Sequence, residues 1–164
     1  MATNVVELQR TETEVPTRAV LVRVIKAKRE RVFDALTRPE IIRQWFAPSD
    51  RTVERVSNEL KVDGDYLIAL GPGGELTPPE RRHPISVSGR YTKVQPYDLL
   101  QFTWRGSWQP EEESLVSFTL KDVEGRTELT LVHEGLVKEG SLATATRGWT
   151  SGLDKLVNVV SQNE

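Results

Sequence analysis

Between Ser141 and Ser161 the apolar residues fall at Leu142, Ala145, Trp149, Leu153, Leu156 and Val160, in steps of three, four, four, three and four. That spacing is one face of an α-helix with a period of about 3.6 residues. Arg147, Asp154, Lys155 and Asn158 fall mostly off the stripe. A helix of about twenty residues is roughly 30 Å long, far more than closing a hairpin requires. The chain upstream reads as β-strand with one short helical interruption, so the helix has only a sheet to lie on. Gly148 and Gly152 each cost about 1 kcal/mol against alanine in a helix interior. Their position beside Trp149 implies that something comes close to the helix there, either a strand backbone or a bound molecule.

The 164 residues suit one domain, and a chain of this size buries about 70% of its unfolded surface. There is no cysteine, which excludes disulfides, thiolate catalysis and cysteine-ligated metals. The two histidines, His83 and His133, would need carboxylates to complete a metal site, and no HExxH spacing is present. A net charge of −2 with both signs interspersed lacks the basic footprint of a nucleic-acid binder. Met1 to Thr17 is polar, and no segment approaches the roughly 18 apolar residues of a membrane span. These features lead us to expect a cytoplasmic protein with no nucleic-acid or membrane partner, no cofactor and no metal.

Residues 1–17 read as a polar tail ending in Val15-Pro16, and 18–161 as the folded domain. From Arg18 to Lys26 the run is β-branched, a strand with Val20, Val22 and Val24 on one face. Lys28 to Leu36 switches to a helical period through Val32, Phe33 and Leu36. Pro39 and Glu40 open a second helix with Ile41, Ile42, Trp45 and Phe46 on its apolar side, and Pro48 ends it. Strands are predicted over Arg51–Leu60 and Tyr66–Leu70, joined by a turn at Asp63-Gly64. Further strands are predicted over 85–94, 99–105, 114–121 and 126–134, with turns at Gln95-Pro96-Tyr97-Asp98 and Glu124-Gly125. Leu100, Phe102 and Trp104 alternate with Gln101 and Thr103, and Val116, Phe118 and Leu120 with Ser117 and Thr119. One face is apolar and the other polar, as in an antiparallel sheet covered on one side. The polar face argues against a large apolar dimer interface across the sheet, leaving a monomer or a homodimer paired elsewhere. Gly71 to Pro84 is irregular, and a loop of about fourteen residues is either mobile or functional.

Several segments resemble the START-like, Bet v 1-like SRPBCC superfamily, in the branch named after the activator of Hsp90 ATPase. They are Val32-Phe33-Asp34-Ala35-Leu36-Thr37-Arg38-Pro39-Glu40, Gln44-Trp45-Phe46-Ala47-Pro48, Val62-Asp63-Gly64-Asp65-Tyr66, Ser88-Gly89-Arg90-Tyr91, Leu129 to Gly135, and Gly148-Trp149 with Leu153 and Leu156. Asp63 stands where that branch usually has the first glycine of a pair, and Glu59 where an aspartate is common. The resemblance implies an α+β helix-grip fold: an antiparallel sheet of six to seven strands wrapped around a long C-terminal helix, with two short helices after the first strand. It implies a pocket rather than a reaction, because the family carries no universal catalytic residues.

No nucleophile motif of the Gly-x-Ser-x-Gly kind occurs, and Gly71-Pro72-Gly73-Gly74-Glu75 lacks the lysine of a phosphate loop. No catalytic residue is assigned. His133 shares strand phase with Leu129 and Leu131 and should face the covered side. It is either a hydrogen-bonded histidine at the mouth of the core or a polar group that orients a ligand or exchanges a proton. On the second reading, His133→Ala weakens binding and leaves the thermal midpoint nearly unchanged. His83 reads as a solvated loop residue, and Trp108 as a turn residue that is exposed or tucked against the sheet edge. The predicted wall of an apolar cavity is Trp45, Phe46, Tyr66, Ile68, Tyr91, Phe102, Trp104, Phe118, His133, Trp149 and Leu153, unless those side chains close on one another as a packed core.

By resemblance the leading expectation is a non-enzymatic binding protein for a small apolar or aromatic molecule. The rivals are an aromatase- or cyclase-like enzyme using His133, Tyr66 and Tyr91, and a module acting on a chaperone. Against the last, only about seventeen polar residues precede the first strand, without the activator's separate N-terminal domain.

Overall fold

The computed structural model describes residues 17–48 and 50–161, so the expected polar tail lies outside the described residues except for Thr17. The elements are β1 (Arg18–Ile25), α1 (Arg29–Thr37), α2 (Pro39–Trp45), β2 (Val53–Asn58), β3 (Asp65–Leu70), β4 (Ile85–Gln95), β5 (Leu99–Gly106), β6 (Ser114–Val123), β7 (Arg126–Glu134) and α3 (Ser141–Ser161). The strands form one seven-stranded sheet in the order β1-β7-β6-β5-β4-β3-β2, every neighbouring pair antiparallel. This is the expected helix-grip architecture. The first strand pairs with the last, Ala19 opposite His133 and Leu21 opposite Leu131. The 21-residue α3 packs against β1, α1 and α2 on the covered face.

The stripe read from the sequence is the buried side of α3: Trp149, Leu153, Leu156 and Val160 are buried, together with Gly152. In β1 the inward face is Ala19, Leu21, Arg23 and Ile25. Val20, Val22 and Val24 do share a face, but it is the half-buried outer one. Arg23 is thus a cation in the core, 2% exposed, with its guanidinium 3.3 Å from Asp154 of α3. The alternation gives an arginine the core phase because a partner 131 positions along the chain is there to receive it.

The β2 ladder is shorter than the predicted Arg51–Leu60 because both ends are drawn off it. At one end the side chain of Arg51 turns into the 71–84 loop. At the other, Glu59 and Lys61 enter the turn, where Asp63 adopts φ +69°. Aspartate tolerates this left-handed conformation better than most side chains, which accounts for its standing in place of a glycine. Glu124 (φ +54°) and Gly125 (φ +83°) form the two-residue turn between Val123 and Arg126, a type I′ connection that matches strand twist. In β4, Gly89 faces the carbonyl of Thr103 so closely that a Cβ would stand 2.1 Å from its oxygen.

Candidate functional site

The predicted aromatic residues are brought together. α2 supplies Trp45, buried and anchored by an indole N–H that donates to the Ala35 carbonyl at 2.8 Å. Phe46, at the end of α2, is half-buried. Strands β3, β4, β5 and β6 supply Tyr66 and Ile68, Tyr91, Phe102 and Trp104, and Phe118. Trp149 reaches them from α3: its ring centroid lies 5.1 Å from Trp104, 5.7 Å from Phe118 and 6.1 Å from Phe46. Tyr66, Tyr91 and Phe102 form a second group with centroids 5.3–6.2 Å apart. The space left between these side chains is about 30 Å³, room for a few waters at most and far below the roughly 300 Å³ at which small-molecule sites begin. His133 and Leu153 do not line it. Leu153 is fully buried against the rest of the core.

His133 is fully buried as well, and both ring nitrogens are committed to protein. The Trp149 indole N–H donates to Nδ1 at 2.9 Å, and Nε2 lies 2.7 Å from Ser114 Oγ. An indole nitrogen can only donate, so Nδ1 is an acceptor and the ring proton sits on Nε2, donating to Ser114. The Ser114 hydroxyl in turn donates to the Trp104 carbonyl at 3.4 Å. Burial holds the imidazole neutral, its pKa lowered from 6.5 to about 3. The side chain therefore orients Trp149, and its nitrogens have no free position for a ligand.

The two tyrosines are held in the same closed manner. The Tyr66 hydroxyl donates to the Thr103 carbonyl at 2.6 Å, and the Tyr91 oxygen accepts from Asn58 Nδ2 at 3.0 Å. Burial raises both phenol pKa values, that of Tyr66 well above its ordinary range with Tyr91 adding to the effect. Near neutral pH both remain protonated.

A groove of about 660 Å³ opens beside this wall. Phe46, Trp104 and Trp149 line both spaces, so the same three rings close the inner void and floor the groove. Its remaining walls come from the first half of α3, the 71–84 loop, the 108–112 turn and the segment ahead of α3. The loop is tied down. The Arg51 guanidinium donates to the carbonyls of Gly71, Arg81 and His83 at 2.8–2.9 Å, and Arg82 donates to those of Thr77 and Glu75 at 2.7 and 2.8 Å. Thr77 also bonds the Asp50 carboxylate. Glu112 fixes the opposite wall. One of its oxygens accepts the backbone N–H groups of Val137 and Lys138 at 2.8 Å, and the other the Ser141 hydroxyl at 2.7 Å.

Neither helix glycine meets the strand backbone expected beside Trp149; the neighbour of Gly152 is Trp45 of α2. A Cβ on Gly152 would lie 3.7 Å from the Trp45 ring, whereas one on Gly148 would meet nothing within 4 Å. Gly148 faces the groove. Sequence reasoning placed the site among the rings themselves and did not assign Gly148, Trp108 or the 71–84 loop to a wall. The signals were the helix-interior glycine, the loop length and a 44%-exposed tryptophan in a turn. Among the described residues no group of three or more histidine, aspartate or glutamate side chains is placed to hold a metal. Nor is any helix long and apolar enough to cross a membrane.

A family model described as activator of Hsp90 ATPase homolog 1-like protein matches residues 26–161. No curated protein matches the chain. Among solved structures, a Chromobacterium violaceum protein superposes with a TM-score of 0.78 at 23% identity, over 88% of this chain and 98% of that one. A Rhodobacter sphaeroides protein gives 0.78 at 20% identity, over 97% and 99%. The solution structure of an Aeromonas hydrophila protein described as AHSA1-like gives 0.73 at 18% identity, over 88% and 92%. At these identities the likeness is one of fold.

Proposed function

The chain belongs to the activator of Hsp90 ATPase homolog 1-like family, and from that premise we propose that it is a non-enzymatic, cytoplasmic binding protein for a small apolar or aromatic molecule. The observation that carries the reading is Gly148. In the middle of a long packed helix, bare backbone faces a groove of about 660 Å³, inside the range of roughly 300–1,000 Å³ typical of small-molecule sites. The molecule lies on Phe46, Trp104 and Trp149, with Tyr66, Ile68, Tyr91, Phe102 and Phe118 as the rigid layer behind them. The binding place is therefore outside the aromatic wall rather than within it. The absence of catalysis is supported by the state of the three groups that a proton-transfer mechanism would use. His133 is neutral with both nitrogens bonded, and the two phenols are held protonated.

Titration with uncharged phenylnaphthylamine, whose fluorescence rises in apolar surroundings, tests the reading. Saturable one-to-one binding is expected for the unmodified protein. In Gly148→Trp, whose indole projects into the groove, affinity should fall at least about tenfold, a difference of roughly 1.4 kcal/mol. Binding that does not saturate, or that Gly148→Trp leaves unchanged, would overturn the assignment. A companion variant checks the geometry apart from any ligand. Gly148→Ala adds a methyl group with no neighbour and should stabilise the fold by about 0.5–1 kcal/mol, read as a higher midpoint in chemical denaturation.

A further inference from the structure

Building on the groove as the binding place, we infer that its ligand is an amphipathic acid, with a flat or apolar body on the indoles and one anionic group held by Arg81 and Arg147. The inference rests on which ionisable side chains in the groove already have partners. Three acids line it: Asp50, Glu112 and Glu139. Asp50 bonds the Thr77 hydroxyl. The Glu112 carboxylate accepts three hydrogen bonds from the segment that leads into α3. Glu139 is the one of the three with no hydrogen-bond or ion-pair partner among the described residues.

Of the three arginines lining the groove, Arg51 directs three of its N–H donors to the carbonyls of Gly71, Arg81 and His83 in the 71–84 loop. The side chains of Arg81 and Arg147 have no hydrogen-bond or ion-pair partner among the described residues. Two uncommitted guanidinium groups thus stand against one uncommitted carboxylate in a groove floored by Phe46, Trp104 and Trp149.

The two arginines come from different walls of the groove. Arg147 immediately precedes Gly148 and lies two residues before Trp149 on α3, while Arg81 belongs to the short 3₁₀ turn Pro79–Arg81 in the loop. Both line the same groove. A guanidinium offers paired N–H donors in a fork that matches an acid group. A neutral molecule of the same shape leaves those donors to water. Trp108 adds to the apolar side: its ring lies so close over Gly106 that a Cβ there would stand 2.6 Å from it. With one face held on backbone, the 44%-exposed ring is a fixed platform at the rim of the groove.

The test uses anilinonaphthalene sulfonate and phenylnaphthylamine, one aromatic skeleton with and without an acid group. The acid should bind about fivefold to tenfold tighter than the neutral dye, the scale expected of exposed ion pairs acting together. Its advantage should shrink as salt is raised. In the double variant Arg81→Gln, Arg147→Gln the ratio should fall to within about twofold, with binding of the neutral dye unchanged. Equal affinities in the unmodified protein, both lost in Gly148→Trp, would overturn the acid inference and leave the groove standing. A ratio that persists in the double variant would overturn it as well. Failure of both dyes to saturate would remove the groove and this inference together.

Discussion

Replacing His133 with alanine should lower the stability of the native state by about 3–5 kcal/mol. Two costs combine. A fully buried ring is removed from beside Trp104 and Trp149, whose centroids lie 5.3 and 6.2 Å away. The Trp149 indole N–H and the Ser114 hydroxyl are left facing the gap. For a protein of this size the thermal midpoint should fall by roughly ten degrees. This is the outcome of the first of the two sequence readings, a hydrogen-bonded histidine of the core, and not of the second, in which the variant lost binding and kept its midpoint.

The pH dependence separates the histidine from simple packing. The native imidazole has a pKa of about 3, against 6.5 in the absence of the fold. Between those values the unfolded chain binds a proton that the native state refuses, because a protonated Nδ1 would point at the indole N–H. Stability therefore rises with pH through this window, with a slope approaching about 1.4 kcal/mol per pH unit. The contribution is fully present above about pH 6.5 and is lost as pH falls toward 3. Denaturant titrations of the unmodified protein and His133→Ala at several pH values should show the gap between them narrowing on acidification. Parallel curves would sink the assignment.

The second large effect is expected at Gly89. Adding one methyl group would bring a Cβ 2.1 Å from the Thr103 carbonyl oxygen and 2.7 Å from its Oγ1. The obstacle is backbone, fixed from the far side by the Tyr66 hydroxyl at 2.6 Å, so no flexible side chain can swing away. Gly89→Ala should cost about 2–3 kcal/mol as the strands part and the tyrosine loses its acceptor. Gly148→Ala, the same substitution where there is room, should move stability the other way. Thermal melts of the pair decide the matter: equal midpoints would mean that the β4–β5 contact relaxes without strain.

Much of the fold was legible because it rests on periodicity. The stripe from Leu142 to Val160, the alternation in β5 to β7 and the Glu124-Gly125 turn are local patterns, and each maps onto an element of the structure. The aromatic wall was legible for the same reason: strand phase tells which side a residue faces. Phase does not tell how completely facing side chains fill the space between them, and here they leave about 30 Å³. Nor does it reveal partners. His133 was placed on the covered side correctly, but its bonds to Trp149 and Ser114 depend on strand register and on where α3 docks. Arg23 looks like a polar interruption of a β-branched run until α3 delivers Asp154. The groove was least legible, since its walls are loops brought together by contacts such as Arg51 to Gly71, Arg81 and His83.

The groove is divided into an inner wall that belongs to the core and an outer wall that does not. Phe46, Trp104 and Trp149 belong to the core cluster or pack against it, so a substitution there alters the folded state along with the surface it presents. The facing residues sit on a loop and a turn, where Leu76 is 91% exposed and Trp108 is 44% exposed, and substitutions at such positions usually change stability by no more than about 0.5 kcal/mol. On the proposed binding role, the preferred guest can therefore be changed by rewriting the outer wall alone. The inner rings serve the fold and the surface at once, whereas the facing loop and turn can be altered with the core left intact.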